Sequence, residues 1–193
     1  MSRLPTLITS RLIIRPLNIN DTYDMFDYAH RDNVGPRAGW LPHQSQAESE
    51  TVIRNMINQT MTDTNIGIFA LEYKDNRKMI GTIGIHRYDK KNLSAEIGYV
   101  LHPDYWGMGL MVEAVTRIIA WLFDDMGLYR IECGHFDFNH QSKRVIEKCG
   151  FTFEGISRKK IFLQDGSRSD LYHYSILKDE YDNKQLPWQK EKE

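Results

Sequence analysis

His102-Pro103-Asp104-Tyr105-Trp106-Gly107-Met108-Gly109-Leu110-Met111 stands where one hydrophobic rhythm gives way to another. Upstream, Leu93 to Leu101 reads as a strand. Downstream, Met111, Val112, Val115, Ile118, Ile119, Leu122, Phe123 and Met126 recur at helical spacing, and Gly127 supplies a stop. Pro103 ends the strand, and Gly107 and Gly109 remove side chains where the backbone must come close to a ligand or adopt positive φ. Such a turn aims backbone amides and the positive end of a helix at one point, which suits an anion. The segment lacks the Gly-Lys-Ser/Thr ending of a P-loop and the third glycine of a dinucleotide fingerprint, so nucleotide hydrolysis and hydride transfer lose ground. An ordinary strand-to-helix turn is the plain alternative.

Working outward, Thr9 to Leu17 reads as a first strand closed at Pro16, and Asn20 and Asp21 offer an N-cap for a short helix with Met25, Phe26 and Ala29. Gly35, Pro36, Gly39 and Pro42 break the next stretch into a loop that carries Trp40. Ser45-Gln46-Ala47-Glu48 is a capping box, with Val52, Ile53, Met56, Ile57 and Met61 on one face of the helix behind it. Ile66 to Tyr73, Met79 to Tyr88 and Leu93 to Leu101 form an antiparallel meander. After the central helix, Tyr129 to Phe136 is a further strand, Asn139 caps a helix that runs through Lys148 to Gly150, and two strands start near Phe151 and Arg168. The predicted class is α/β (α+β), a mixed, mostly antiparallel central sheet with helices on both faces. Residues 1–193 read as a single domain, with a core of about 9–178 and a solvated tail over 180–193.

Twenty-five basic residues balance twenty-six acidic ones, so no overall positive field draws the chain to nucleic acid or to an anionic membrane. No apolar run approaches the eighteen or so residues of a membrane span, and the expected location is the cytoplasm. Cys133 and Cys149 lack the paired spacing of a zinc site or disulfide framework and read as reduced, small core residues. The seven scattered histidines suggest no metal.

Tyr105-Trp106-Gly107-Met108-Gly109-Leu110, followed by Glu113-Ala114, resembles the acetyl-CoA loop of the GCN5-related N-acetyltransferases (GNAT), and specifically their ribosomal-protein N-terminal (RimJ/RimL-like) acetyltransferase branch. Asn139-His140-Gln141-Ser142-Lys143-Arg144-Val145-Ile146-Glu147-Lys148-Cys149-Gly150-Phe151 resembles that branch's second block, and Ser10-Arg11-Leu12-Ile13-Ile14-Arg15 and Gly81-Thr82-Ile83-Gly84 are similar to it too. Trp106 stands where the broader family usually has Gln or Arg, and Met111 where it has Gly or Ala. The resemblance implies a V-shaped splay in the sheet between Tyr99-Val100-Leu101 and the strand Tyr129 to Phe136, with acetyl-CoA in the notch. Trp106, Gly107, Met108, Gly109, Leu110 and Met111 would then bind its pyrophosphate, Asn139 its pantetheine arm, and Ser142 would lie near the thioester sulfur. For Asn139 a plain N-cap is the alternative.

Direct acetyl transfer to an amine needs a neutral amine, a route for its proton, a donor to the oxyanion and a proton for the departing thiolate. Glu96, a carboxylate inside an apolar strand, is the candidate base, directly or through a water, with a structural carboxylate paired to an arginine as the alternative. Ser142 is the candidate donor to the thiolate, with a helix-surface serine as the alternative, and the backbone N–H of Val100 or Leu101 is the candidate oxyanion donor. The family's architecture implies Trp40, His86 and Tyr88 on the acceptor wall, with core or surface packing as the alternative. The implied acceptor is the N-terminal α-amine of a protein such as a ribosomal protein. A small-molecule amine (polyamine, amino sugar or drug) and a non-catalytic acetyl-CoA-binding module remain as alternatives, and the family's habits leave a homo-oligomer open.

Overall fold

The computed structural model describes residues 4–60, 62 and 64–190. Eight strands, β1 (Leu7–Ile8), β2 (Leu12–Pro16), β3 (Gly67–Tyr73), β4 (Met79–Asp89), β5 (Ser94–Leu101), β6 (Arg130–Phe136), β7 (Thr152–Phe162) and β8 (Arg168–Leu177), make one sheet in the order β1-β2-β3-β4-β5-β6-β8-β7. Every pairing is antiparallel except β5 with β6, which the long helix between them makes parallel. The class read from the sequence holds. The expected first strand is instead two, because Thr9 turns the chain: its hydroxyl accepts from Leu12 N (2.9 Å) and its own N–H donates to Leu12 O (3.0 Å).

Helices α1 (Thr22–Ala29), α2 (Gly35–Ala38) and α3 (Gln46–Asn58) lie on one face, where Met25, Tyr28 and Ile53 pack on Ala70 and Met79. Helices α4 (Leu110–Asp124) and α5 (His140–Lys148) cover the other, where Ile118, Ile119 and Leu122 are fully buried and Trp121 meets Phe69 edge-on with ring centroids 5.5 Å apart. Ser45 caps α3 as expected, accepting from Glu48 N, whereas the Glu48 carboxylate reaches past it to Gln44 N (2.7 Å). The start of α1 differs from expectation. Asn18 caps a 3-10 turn, Ile19–Asp21, that leads into α1, and the Asp21 carboxylate accepts from Asn18 N (2.8 Å) and from Arg15 Nη2 (2.7 Å) rather than capping α1 itself. Met61 lies outside the described residues.

The segment read as a solvated tail is partly packed. After β8 come two short helices, α6 (Lys178–Asp182) and α7 (Pro187–Lys190), between which Leu186 is only 2% exposed. Trp188 Nε1 donates to Cys149 O at 3.0 Å, so this stretch closes over the end of α5. Among the described residues no helix is long and apolar enough to cross a membrane.

What positions the site is a defect in the sheet. β5 and β6 pair only from Ser94↔Arg130 to Ile97↔Cys133. Beyond that point β5 stays with β4 as far as Gly81↔Leu101, while β6 stays with β8 as far as Phe136↔Leu171. The two strands therefore part, and the implied V-shaped splay is present.

Candidate active site

A cavity of about 630 Å³ runs through this notch, lined on one side by Trp106 and the start of α4 and on the other by α2, Trp40 and Met56. Gly107 (φ 79°) and Gly109 (φ 76°) hold the left-handed conformation that lets the chain turn from the strand end into α4. No side chain caps α4, and its first helical bond is Glu113 N to Gly109 O, so the N–H groups of Leu110, Met111 and Val112 have no partner within the helix. All three residues line the cavity. The Leu110 and Met111 side chains are buried in the core at 0% and 4% exposure, so the bulk of Met111 points away from the notch. These unpaired donors and the helix dipole fit an anionic diphosphate.

Arg11 braces this loop from β2's side. Its Nη1 donates to Met108 O (2.9 Å), its Nε to Glu113 Oε2 (2.7 Å), and its backbone N–H to Glu113 Oε1 (2.8 Å). Burial raises the Glu113 carboxyl, but the Thr9 side chain and these Arg11 donors outweigh it and hold the group below its usual range. Met108, expected among the ligand contacts, is not in the lining. Its carbonyl is taken by Arg11 and its side chain is 43% exposed.

Val100 and Leu101 differ in a way that strand geometry decides. His102 N donates to Ile80 O (2.7 Å), so by antiparallel alternation the backbone of Val100 and Gly98 turns to β4 and that of Leu101 and Tyr99 turns into the notch. The Val100 N–H is thus spent in the ladder opposite Thr82, and Leu101 offers the free donor. Trp106 Nε1 donates to Leu101 O (2.8 Å) and fixes the notch's edge to the loop.

Asn139 behaves first as an N-cap. Its Oδ1 accepts from Ser142 N (3.1 Å), and its Nδ2 donates to Arg37 O (2.9 Å), tying α5 to α2 across the cavity. The Ser142 hydroxyl lies 3.0 Å from the Tyr99 hydroxyl, which also donates to Ser142 O at 3.2 Å. Burial pushes the Tyr99 phenol well above its ordinary range, so it stays protonated. Cys133 also lines the notch, and burial raises its thiol to about 12.

On the acceptor side Trp40 and His86 line the cavity, as expected. Trp40 folds back on α2, so close that a Cβ on Gly35 would lie 2.6 Å from its ring. Tyr88 is not in the lining and packs against the main core. Simple alternation would put it beside His86, but Arg87 adopts φ 51° and the β4–β5 register shifts after His86, which turns Tyr88 away. Glu96 is also outside the lining, and its carboxylate takes an ion pair from Arg87 at 2.6 Å. Arg37 lines the cavity unanticipated, since it arrives by long-range packing rather than by a local motif, whereas Tyr99 and Phe136 belong to the two strand segments expected at the notch. No carboxylate appears in the lining among the described residues, whereas Arg37, Arg144 and Lys148 do.

The comparisons agree with this architecture. Residues 11–152 match the family described as the acetyltransferase (GNAT) domain. The chain is 32% identical over 174 residues to an uncharacterized N-acetyltransferase, YoaA, of Bacillus subtilis, covering 90% of this chain and 97% of that protein. It is 27% identical over 169 residues to the [ribosomal protein uS5]-alanine N-acetyltransferase of Escherichia coli, covering 85% and 86%. A GCN5-related N-acetyltransferase from Brucella melitensis superposes with a TM-score of 0.82 at 25% identity, over 94% of this chain and 82% of that one. The parted strands, the uncapped glycine-flanked helix start and a family match across most of the chain together make this an N-acetyltransferase of the GNAT family, whose domains use acetyl-CoA as donor.

Proposed function

We propose that the chain transfers acetyl from acetyl-CoA to a single primary amine, the N-terminal α-amine of a protein such as a ribosomal protein. The observation that carries this reading is the cavity's lining: Arg144, Lys148 and backbone donors on the donor side, mainly aromatic and apolar side chains with Arg37 and His86 on the acceptor side, and no carboxylate among the described residues. A polyamine or aminoglycoside carries several positive charges and is held by carboxylates. A peptide N-terminus carries one, and the wall of Val34, Trp40, Met56 and Phe136 suits the rest of an extended chain. The relationship to the uS5-alanine enzyme supports the same acceptor class.

In this reading the N–H groups of Leu110, Met111 and Val112 bind the pyrophosphate, and Arg144 and Lys148 add positive charge nearby. The Leu101 N–H meets the oxygen on which charge develops. Ser142, with its hydroxyl against that of Tyr99, donates to the sulfur as the thiolate leaves. Calorimetric titration with acetyl-CoA, followed by thiol-release assays, tests the assignment. Release with Ala- or Ser-starting peptides and none with spermidine is the expected result. Release with small amines alone moves the acceptor to a small molecule, and no binding at millimolar acetyl-CoA removes the transfer reading.

A further inference from the structure

We infer that His86 is the group that takes the proton from the acceptor amine. The inference rests on the acetyl-transfer reading and names the base within it. His86 lines the cavity on the face of the sheet where Trp40 and α2 form the wall. Its ring lies over the cross-strand pair Gly84↔Gly98, close enough that a Cβ on Gly84 would sit 2.7 Å from Cε1 and one on Gly98 3.0 Å from Nε2. A Cβ at Gly84 would force the ring to move, and one at Gly98 would shift it by a few tenths of an ångström. Two glycines, one in each strand, thus make the seat for one imidazole.

Elimination points the same way. Among the cavity's titratable side chains, Arg37, Arg144 and Lys148 are cations with no lone pair to offer. Tyr99 and Cys133 are held protonated by burial, and the Tyr105 hydroxyl is engaged by Asn76 Nδ2 at 2.8 Å. His135 has Nδ1 within 2.7 Å of Phe136 O and Nε2 within 3.2 Å of the Tyr174 hydroxyl, and it stacks on Tyr172. His86 has no hydrogen-bond partner among the described residues at either ring nitrogen. The charged groups facing it are Glu96, its cross-strand partner on β5, and Arg87 on its own strand, themselves an ion pair. Burial, aided by Arg87, lowers the imidazole's affinity for a proton, and Glu96 opposes both. The ring is therefore neutral at pH 7, and Glu96 steadies the imidazolium once formed.

The step balances. The ammonium of the acceptor gives one proton to an imidazole nitrogen, and the freed amine lone pair forms the C–N bond at the thioester carbonyl carbon. The C–S bond breaks with its electron pair on sulfur, and the second amine proton reaches sulfur by way of the Ser142 hydroxyl. Amide and thiol result, and the imidazolium returns its proton to water. A base this weak is matched to an α-amine of pKa about 8 and poorly to a lysine amine of about 10.4, for which the neutral fraction at a given pH is roughly 300-fold smaller.

The test uses the full chain and an Ala-starting peptide. For His86→Gln we expect kcat/KM to fall by about 100-fold or more at pH 7, with unchanged calorimetric affinity for acetyl-CoA. Gly84→Ala should also lower kcat/KM, by displacing the ring. In the unmodified protein, the His86 ring followed by NMR should titrate below 6.5, and its signals should shift when the peptide binds. A His86→Gln protein that binds acetyl-CoA and keeps activity within about threefold, with the same dependence on pH, overturns the assignment of His86 and leaves acetyl transfer standing. A wild type that binds no acetyl-CoA overturns both.

Discussion

Arg11 and Ser142 mark the two ends of the donor path, and each supports a separate expectation. Arg11 holds the loop through one carbonyl and one carboxylate. Arg11→Ala should weaken calorimetric acetyl-CoA binding by about tenfold, the loss of a charge-assisted contact or two, with little change in KM for peptide. Ser142→Ala should do the reverse, lowering kcat by roughly 10- to 100-fold, as for a lost proton donor, while acetyl-CoA affinity stays put. At this scale the sequence was partly legible. Glycines 107 and 109 announce themselves because only backbone freedom explains them, and the Asn139–Ser142 spacing is that of a cap. The Asn139 bond to Arg37 O was not legible, since it joins residues 102 apart and depends on how α2 folds over the sheet. Nor was the exclusion of Tyr88, because the left-handed Arg87 that causes it carries no glycine or asparagine to signal it.

At the scale of elements, periodicity carried most of the reading. The meander, α3 and α4 were visible because each buries a face of its own, with a period of two or 3.6. What periodicity missed was short: β1 with two residues, α2 with four, and the pair α6 and α7. A four-residue helix completes barely one turn and shows no repeat to recognise. The C-terminal stretch is also rich in charge, which hid the fact that Leu186 and Trp188 dock on the end of α5. Truncation after Lys184 should therefore destabilise the fold by about 2–5 kcal/mol, as for loss of a large buried side chain. That is a fall in Tm on the order of 10 °C, readable by thermal denaturation. An unchanged Tm would mean that the docking of Leu186 and Trp188 adds nothing to stability.

For the whole molecule, acid should be the weak side. Of the seven histidines, His43, His86, His102 and His135 all have proton affinities lowered below the ordinary value of 6.5, chiefly by burial. Below 6.5 the unfolded chain binds protons that the folded chain resists, so folding stability falls as pH falls through that value and levels off above it. Thermal denaturation between pH 5.5 and 7.5 should show Tm rising with pH across the lower part of that range. A flat profile would mean that these rings open to water before the fold does.

The parting of β5 from β6 has a consequence for how such a protein can change over generations. On the proposed reading the two substrates meet at the notch from opposite faces of the sheet, and the walls that receive them share few residues. The donor's wall comes from the loop, α4 and α5, while the acceptor's wall comes from the segment between α1 and α3, from Met56 on α3 and from β4. Substitutions over residues 34–56 can then redraw what is acetylated without touching what supplies the acetyl group. Inheritance of one half and reinvention of the other become separable events, and a lineage can diversify its targets while its fuel stays the same.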